Sequence, residues 1–397
     1  MKRLLYFFLA ALLFALPMTA AAQPSVHVVS GPYLQAVGER EFTVVWTTNI
    51  DAVSWVEIAP DDGTHFYNTE RPKYYQVLNG RRPIGKLHVV TVSGLEPATT
   101  YRYRVMQNGV LVNEGRKRVI FGEGFGSDIL RHKPFEVTTL DRSKSEVAFS
   151  VVNDMHEHDS ILRVLYKDVK PGKYDFVCFN GDMLSSMESE KQLFEGYLNS
   201  AAELLTPAGI PIFATRGNHE NRGSFSPRFL DYFPTSTGEV YYTFRQGPAY
   251  FVVLDCGEDK PDSDIRYYGL GDWDAYRQRE AAWLKEIVRS EEFRTAPVRI
   301  VLIHMIPGRE KQLARRTGTP QAARTDPQRS FGRHHAMRAL PPLPVDRRRE
   351  PGHELPDPRK FEPGQARGEG RPQGNRHRRR EHGRRGHQTP PDRQVTA

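Results

Sequence analysis

The chain has 397 residues, 56 Lys+Arg against 48 Asp+Glu, and a formal net charge of +8 at pH 7. The excess sits at one end: from Lys311 onward there are 21 Lys+Arg and 9 Asp+Glu, so the preceding 310 residues are net acidic, at 35 against 39. That distribution excludes overall basicity as a sign that the folded part binds nucleic acid or acidic lipid, and the length suffices for two domains with sizeable cores.

In chain order, residues 1–22 read as a secretory signal, with Lys2 and Arg3, an apolar stretch from Leu4 to Leu16, and Ala20-Ala21-Ala22 before a mature start near Gln23. The stretch is too short to span a bilayer, so the expectation is a secreted or periplasmic protein with no membrane span after cleavage. Residues 24–122 alternate apolar and polar positions in "FTVVWTTN" and "LHVVTVSGLEPATTYRYRVM", with turn residues between. This predicts an all-β sandwich that buries its own core, with Trp46 inside it. "GLEPATTYRYRV" resembles the closing strands of a fibronectin type III domain, and no catalytic cluster is visible there. Residues 123–145 read as a linker.

From residue 146 to 310 the pattern changes. Five continuous apolar runs, "EVAFSVV", "YDFVCF", "IPIFA", "AYFVVL" and "VRIVLI", are interleaved with helix-like stretches such as "EKQLFEGYLNSAAELL" and "YRQREAAWLKEIVRS". Apolar strands alternating with amphipathic helices predict an α/β domain whose strands are covered on both faces. Cys178 and Cys256 lie within or beside such runs and read as buried free thiols.

Four of the five runs end on residues able to hold a metal. They are Asp154 and His156 in "NDMH", Asp182 in "NGDM", Asn218 and His219 in "RGNHEN", and His304 in "IHM". Asp255, in "LDCG", has no obvious ligand partner and reads as structural. Residues at the carboxyl ends of sheet strands converge on one crevice. Carboxylate, amide oxygen and imidazole donors suit hard divalent ions better than a thiolate zinc site. One Asp shared between two ions roughly 3.5–4 Å apart lets the pair clamp the attacking and leaving oxygens of a phosphoryl group.

The series D-x-H, G-D, G-N-H-E and a strand-terminal His resembles the calcineurin-like metallophosphoesterase family, and the sandwich in front makes it similar to purple acid phosphatase-like enzymes. The resemblance covers residues 24–308. It implies two mixed sheets flanked by helices, and hydrolysis of a phosphate ester by a metal-activated hydroxide with two divalent or trivalent ions (Fe, Mn or Zn). By the same resemblance Asp154 and His156 hold one ion, Asp182 bridges, Asn218 and His304 hold the second, and His219 stabilises developing phosphate charge or protonates the leaving group. The chain departs from purple acid phosphatases at Ser185, where they carry a Tyr, and at His156, which they lack. The alternative left open is a non-catalytic secreted binding protein with a degenerate phosphoesterase domain. All five ligand positions are nevertheless present.

A larger departure follows His304. The family closes its site with G-H-x-H, and residues 311–397 contain none; "GHEL" at Gly352 has one histidine and follows no strand. These 87 residues hold 19 Arg and 12 Pro but no Ile, Tyr, Trp or Cys, the composition of a disordered basic tail. Read one base out of frame, "HHAMRALPPL" permits I-M-L-C-G-H-Y-H-R-Y, which contains the missing motif. The expectation is therefore a change of reading frame between His304 and Leu313, with a phosphoesterase domain truncated near residue 310 and, as written, one ligand short at each ion.

Overall fold

The computed structural model describes residues 24–305 and the backbone of a strand at Ala336–Leu340. Residues 1–23, where a signal is expected, and nearly all of residues 306–397 lie outside the described residues.

The N-terminal region is a seven-stranded antiparallel sheet of β1 (Val28–Gln35), β2 (Glu41–Pro60), β3 (Lys73–Tyr75), β4 (Gly85–Ser93), β5 (Thr100–Asn113), β6 (Val119–Gly126) and β7 (Phe135–Thr138). The first part of β2 pairs with β1 and β4, and its second part with β3 and β5. Its register against β4 shifts between Thr47 and Ala52, so one long strand serves both halves of the sheet.

The alternation in β2 separates two cores. Phe42, Val44 and Trp46 join Val56, Val90 and Tyr103, whereas Val45 and Tyr33 face Phe194, Tyr197 and Leu198 of the following domain. The first group is also continuous with Phe176, Phe213 and Phe251 of the next domain's sheets. The core within residues 24–122, with Phe42, Val44, Trp46 and Tyr103 fully buried, is thus continuous with that of the next domain. A buried hydrogen bond from Tyr33 Oη to the Tyr232 carbonyl (2.9 Å) and one from Thr206 Oγ1 to the Pro32 carbonyl (2.7 Å) fix the junction. The linker expected at 123–145 is corrected. It contains the end of β6 and all of β7, because β5 is long enough to pair with β7 at its start and β6 at its end.

The second region holds two sheets. One is parallel, in the order β10 (Ile212–Thr215), β9 (Phe176–Asn180), β8 (Phe149–Val152). The other is mixed, in the order β11 (Tyr242–Gln246), β12 (Ala249–Val253), β13 (Val298–Ile303), β14 (Ala336–Leu340). Two mixed sheets were expected; among the described residues only the second is mixed. Phe176 sits between the sheets and packs its ring on Phe149, Phe213, Phe244 and Phe251 at centroid distances of 5.0–5.2 Å. Helices at Asp159–Tyr166, Glu190–Leu193, Asn199–Leu205 and Trp273–Ile287 cover the outside, with a π-helical turn at Phe194–Leu198.

β14 lies within the segment whose composition reads as a disordered tail, and that expectation is corrected at Ala336–Leu340. Its backbone pairs antiparallel with β13, whose edge would otherwise present unpaired N–H and C=O groups. Cys178 and Cys256 are buried and free, and burial pushes the Cys178 thiol up to about 12, which makes it unreactive. Among the described residues no helix is long and apolar enough to cross a membrane.

Candidate metal centre

The carboxyl ends of β8, β9, β10 and β13 meet at Gly181 and Gly217. Gly181 adopts φ +84°, and a Cβ there would stand 2.7 Å from both the Gly217 backbone and His304 Cγ. A Cβ on Gly217 would collide with Asp182 Oδ1 at 2.2 Å. Two glycines therefore let three loops cross within van der Waals contact.

The loop after β8 lies against the loop after β9. The amides of Asp154, His156 and Glu157 donate to the carbonyls of Gly181, Asp182 and Met183 at 3.0–3.2 Å. Asp154, His156, Glu157 and Asp182 all have positive φ, between 45° and 61°. Four non-glycine residues in the left-handed region, clustered at one place, are a concentration of backbone strain of the kind held at functional sites.

Asp154, His156 and Asp182 offer ligand atoms within 4.8 Å of one another. On its other side Asp182 Oδ2 stands 3.1 Å from Nε2 of His304, which is 1% exposed. The His304 Nδ1 lies 2.8 Å from the Asn180 carbonyl. A carbonyl only accepts, so Nδ1 carries a hydrogen and Nε2 is the atom turned toward Asp182. Burial pushes the Asp182 pKa up, but its hydrogen bond to His304, that ring's charge and the His219 amide outweigh burial and hold it below the usual carboxylate range. A cation sharing that oxygen competes with the same proton.

Asn218 is buried between two anchored neighbours: the Gly217 amide donates to Glu220 Oε2 (2.9 Å) and the His219 amide to Asp182 Oδ1 (3.0 Å). His219 stands outside the ligand group, with Nε2 3.8 Å from Asp182 Oδ2 and its ring edge-on to His156 at 4.8 Å. Its Nδ1 donates to the Ser185 carbonyl at 2.6 Å, and its Nε2 accepts from Arg222 Nη1 at 3.1 Å. Asp255 is fully buried and serves structure. It accepts from Arg216 Nε (3.0 Å), Tyr276 Oη (2.8 Å) and the Gly257 amide (3.0 Å).

Three residues unforeseen from sequence support the site. Glu220, 2% exposed, takes four backbone amides: Asp182 (2.8 Å) and Gly217 (2.9 Å) on Oε2, Met183 (2.7 Å) and Leu184 (3.1 Å) on Oε1. Glu157 accepts from the Ser185 amide, the Ser185 hydroxyl and Gln192. Arg222 pairs with Glu258 through two parallel 3.0 Å bonds. The only advance signal was for Glu220, an acidic residue directly after the glycine-bearing "GNH".

The donor set fits hard divalent ions, since the carboxylates of Asp154 and Asp182 and the imidazoles of His156 and His304 converge without any thiolate. A family model for calcineurin-like phosphoesterases matches residues 148–342, and one for the purple acid phosphatase N-terminal domain matches residues 29–118. None of the curated proteins compared with the chain matches it.

Proposed function

The chain belongs to the calcineurin-like metallophosphoesterase family, a phosphoesterase hydrolase of purple acid phosphatase-like build, and we propose that it is an exported enzyme that hydrolyses phosphate esters at a two-metal site. The observation that supports this reading best is the position of Asp182, with Asp154 and His156 on one side and His304 on the other. Asp154 and His156 would hold one ion, Asn218 and His304 the second, and Asp182 both. Ions held there supply Lewis acidity toward a phosphoryl group and acidify water. Fe, Mn and Zn all suit the donors.

The protein's own groups do the rest. Glu220 and Glu157 hold the ligand loops in register. Arg222 and His219 present a guanidinium beside an imidazole near Asp182, an arrangement suited to charge developing on a phosphoryl group. Delivery of a proton to the leaving group by His219 requires Nε2 to be protonated first, since here it accepts from Arg222. Export rests on the signal-like residues 1–22.

We also propose that the reading frame changes between His304 and Leu313, and that the chain as written lacks one histidine ligand for each ion. Two observations support this. Residues 311–397 hold 19 Arg and 12 Pro but no Ile, Tyr, Trp or Cys, and the shifted frame of "HHAMRALPPL" permits the G-H-x-H that the printed residues lack. Metal analysis tests both proposals together. The chain as written should retain metal poorly, while the frame-restored protein should hold about two ions, the number a two-metal site takes.

A further inference from the structure

The loop after β9 presents four consecutive backbone amides, Asp182 to Ser185, and two glutamates take all of them. Glu220 holds the first three. Glu157 holds the fourth: its Oε1 accepts from the Ser185 amide at 3.1 Å, and its Oε2 accepts from the Ser185 hydroxyl at 2.7 Å. With amide and hydroxyl both engaged, Ser185 is fixed in place, and its carbonyl meets His219 Nδ1 at 2.6 Å. A carbonyl only accepts, so Nδ1 carries the ring hydrogen. Nε2, the nitrogen 3.8 Å from Asp182 Oδ2, is left as the one facing the ligand group.

Glu157 is itself held from several directions. Its φ is +61°, its amide donates to the Met183 carbonyl at 3.0 Å, and Oε1 also accepts from Gln192 Nε2 at 2.7 Å. Its side chain lies against Gly196 in the π-helical turn Phe194–Leu198, where a Cβ would stand 3.0 Å from Glu157 Cγ. Single π-helical turns recur at functional sites. Left-handed backbone, a π-helical turn and a glycine gathered around one carboxylate are more than a surface loop tie requires.

We propose that Glu157 is a positioning residue for His219: through Ser185 it fixes which ring nitrogen carries the hydrogen and aims Nε2 toward a phosphoryl group beside Asp182. The catalytic consequence rests on the phosphoesterase reading above, whereas the tie to the ring does not. The role is one of hydrogen-bond geometry and not of charge. Glutamine can serve it, because its carbonyl oxygen keeps the Ser185 and Gln192 N–H groups while its NH2 donates to the Ser185 hydroxyl, which accepts as well as donates.

The test uses the native full-length protein. Long-range proton–nitrogen correlation NMR of the metal-free protein, at alkaline pH where imidazole is neutral, reads which nitrogen of His219 carries the hydrogen, and His219→Gln identifies the signal. The parent should show the hydrogen on Nδ1, Glu157→Ala a mixture of both tautomers, and Glu157→Gln the parental state. With metal bound, Glu157→Ala should lower kcat for an aryl phosphate by about 10- to 100-fold, as for a reacting group displaced by about 1 Å, with KM and metal content unchanged. Glu157→Gln should restore kcat. Ser185→Ala, at an exposed position, removes the hydroxyl bond alone and should move both readouts the same way, so the role is read even where Glu157→Ala fails to fold. An undisturbed Nδ1 hydrogen in both alanine variants, or a loss of kcat that glutamine does not restore, overturns the positioning role while the phosphoesterase reading stands. A fall in kcat that only follows lost metal assigns Glu157 to loop structure and overturns the proposal too. A parent that binds metal and hydrolyses no phosphate ester removes the phosphoesterase reading and the catalytic role with it.

Discussion

Replacing Glu220 with Gln keeps size and shape but changes what four backbone amides meet. Each carboxylate oxygen of Glu220 accepts two of them, at 2.7–3.1 Å. Whichever way the new amide turns, its NH2 faces two N–H groups that then have no acceptor. An orphaned buried donor costs about 1–3 kcal/mol, so the gross loss is about 2–6 kcal/mol. Part of this is offset, because burial and the charge of Asp182 both push the Glu220 pKa up, and the substitution removes a charge held at some expense. The expected net loss is about 2–4 kcal/mol, a large share of the stability of an ordinary domain. The four amides belong to Asp182, Met183 and Leu184 on one loop and Gly217 on another, and losing two of them loosens that tie, so retained metal should fall as well. Urea unfolding at pH 7, with metal content measured on the same samples, reads both effects. Stability within about 0.5 kcal/mol of the parent, with metal fully retained, would refute the claim that this carboxylate holds the two loops together.

Burial lowers the His88 pKa to about 4, and the ring bonds Thr48 Oγ1 at 2.9 Å; this neutral group contributes stability that is complete above pH 6.5 and lost as pH falls through about 4. Burial raises the Glu280 pKa to about 7, and that contribution runs the other way, complete below pH 4.5 and lost as pH rises through about 7. Each is worth on the order of 3 kcal/mol at its limit, so between pH 4.5 and 6.5 they oppose one another. Stability followed by denaturant titration across that window should therefore fall with rising pH in His88→Gln and with falling pH in Glu280→Gln; identical profiles for the two variants would contradict the assignment. Asp255→Ala should destabilise by about 3–5 kcal/mol, because it leaves the buried Arg216 guanidinium unpaired, and urea unfolding measures it.

The sequence revealed the parts of the fold that carry a period. β2, β4 and β5 alternate, and β8, β9, β10, β12 and β13 are short apolar runs bounded by turn residues. β6 was hidden because nearly every residue in it is exposed, so "VIFGEGFG" carries no burial pattern and its glycines read as a linker. β11, "YTFRQ", was missed: it is short and mixed in polarity, and only Gly247 and Pro248 separate it from β12. The ligand positions were legible as polar residues ending apolar strands. Their supports were not, because Glu157 and Glu220 act on loops about 28–38 residues away through backbone amides, which leave no side-chain motif.

The central claim is that Asp182 joins two metal sites while His219 serves the chemistry without holding metal. The most direct measurement is metal content by mass spectrometry, paired with hydrolysis of an aryl phosphate, on the frame-restored protein and its Asp182→Asn and His219→Ala variants. Asp182→Asn should lose bound metal and all turnover, since an amide cannot neutralise two cations. His219→Ala should keep about two ions and lose about 10²–10⁴ in rate. Full metal retention in Asp182→Asn, or metal loss in His219→Ala equal to that of Asp182→Asn, would contradict the account.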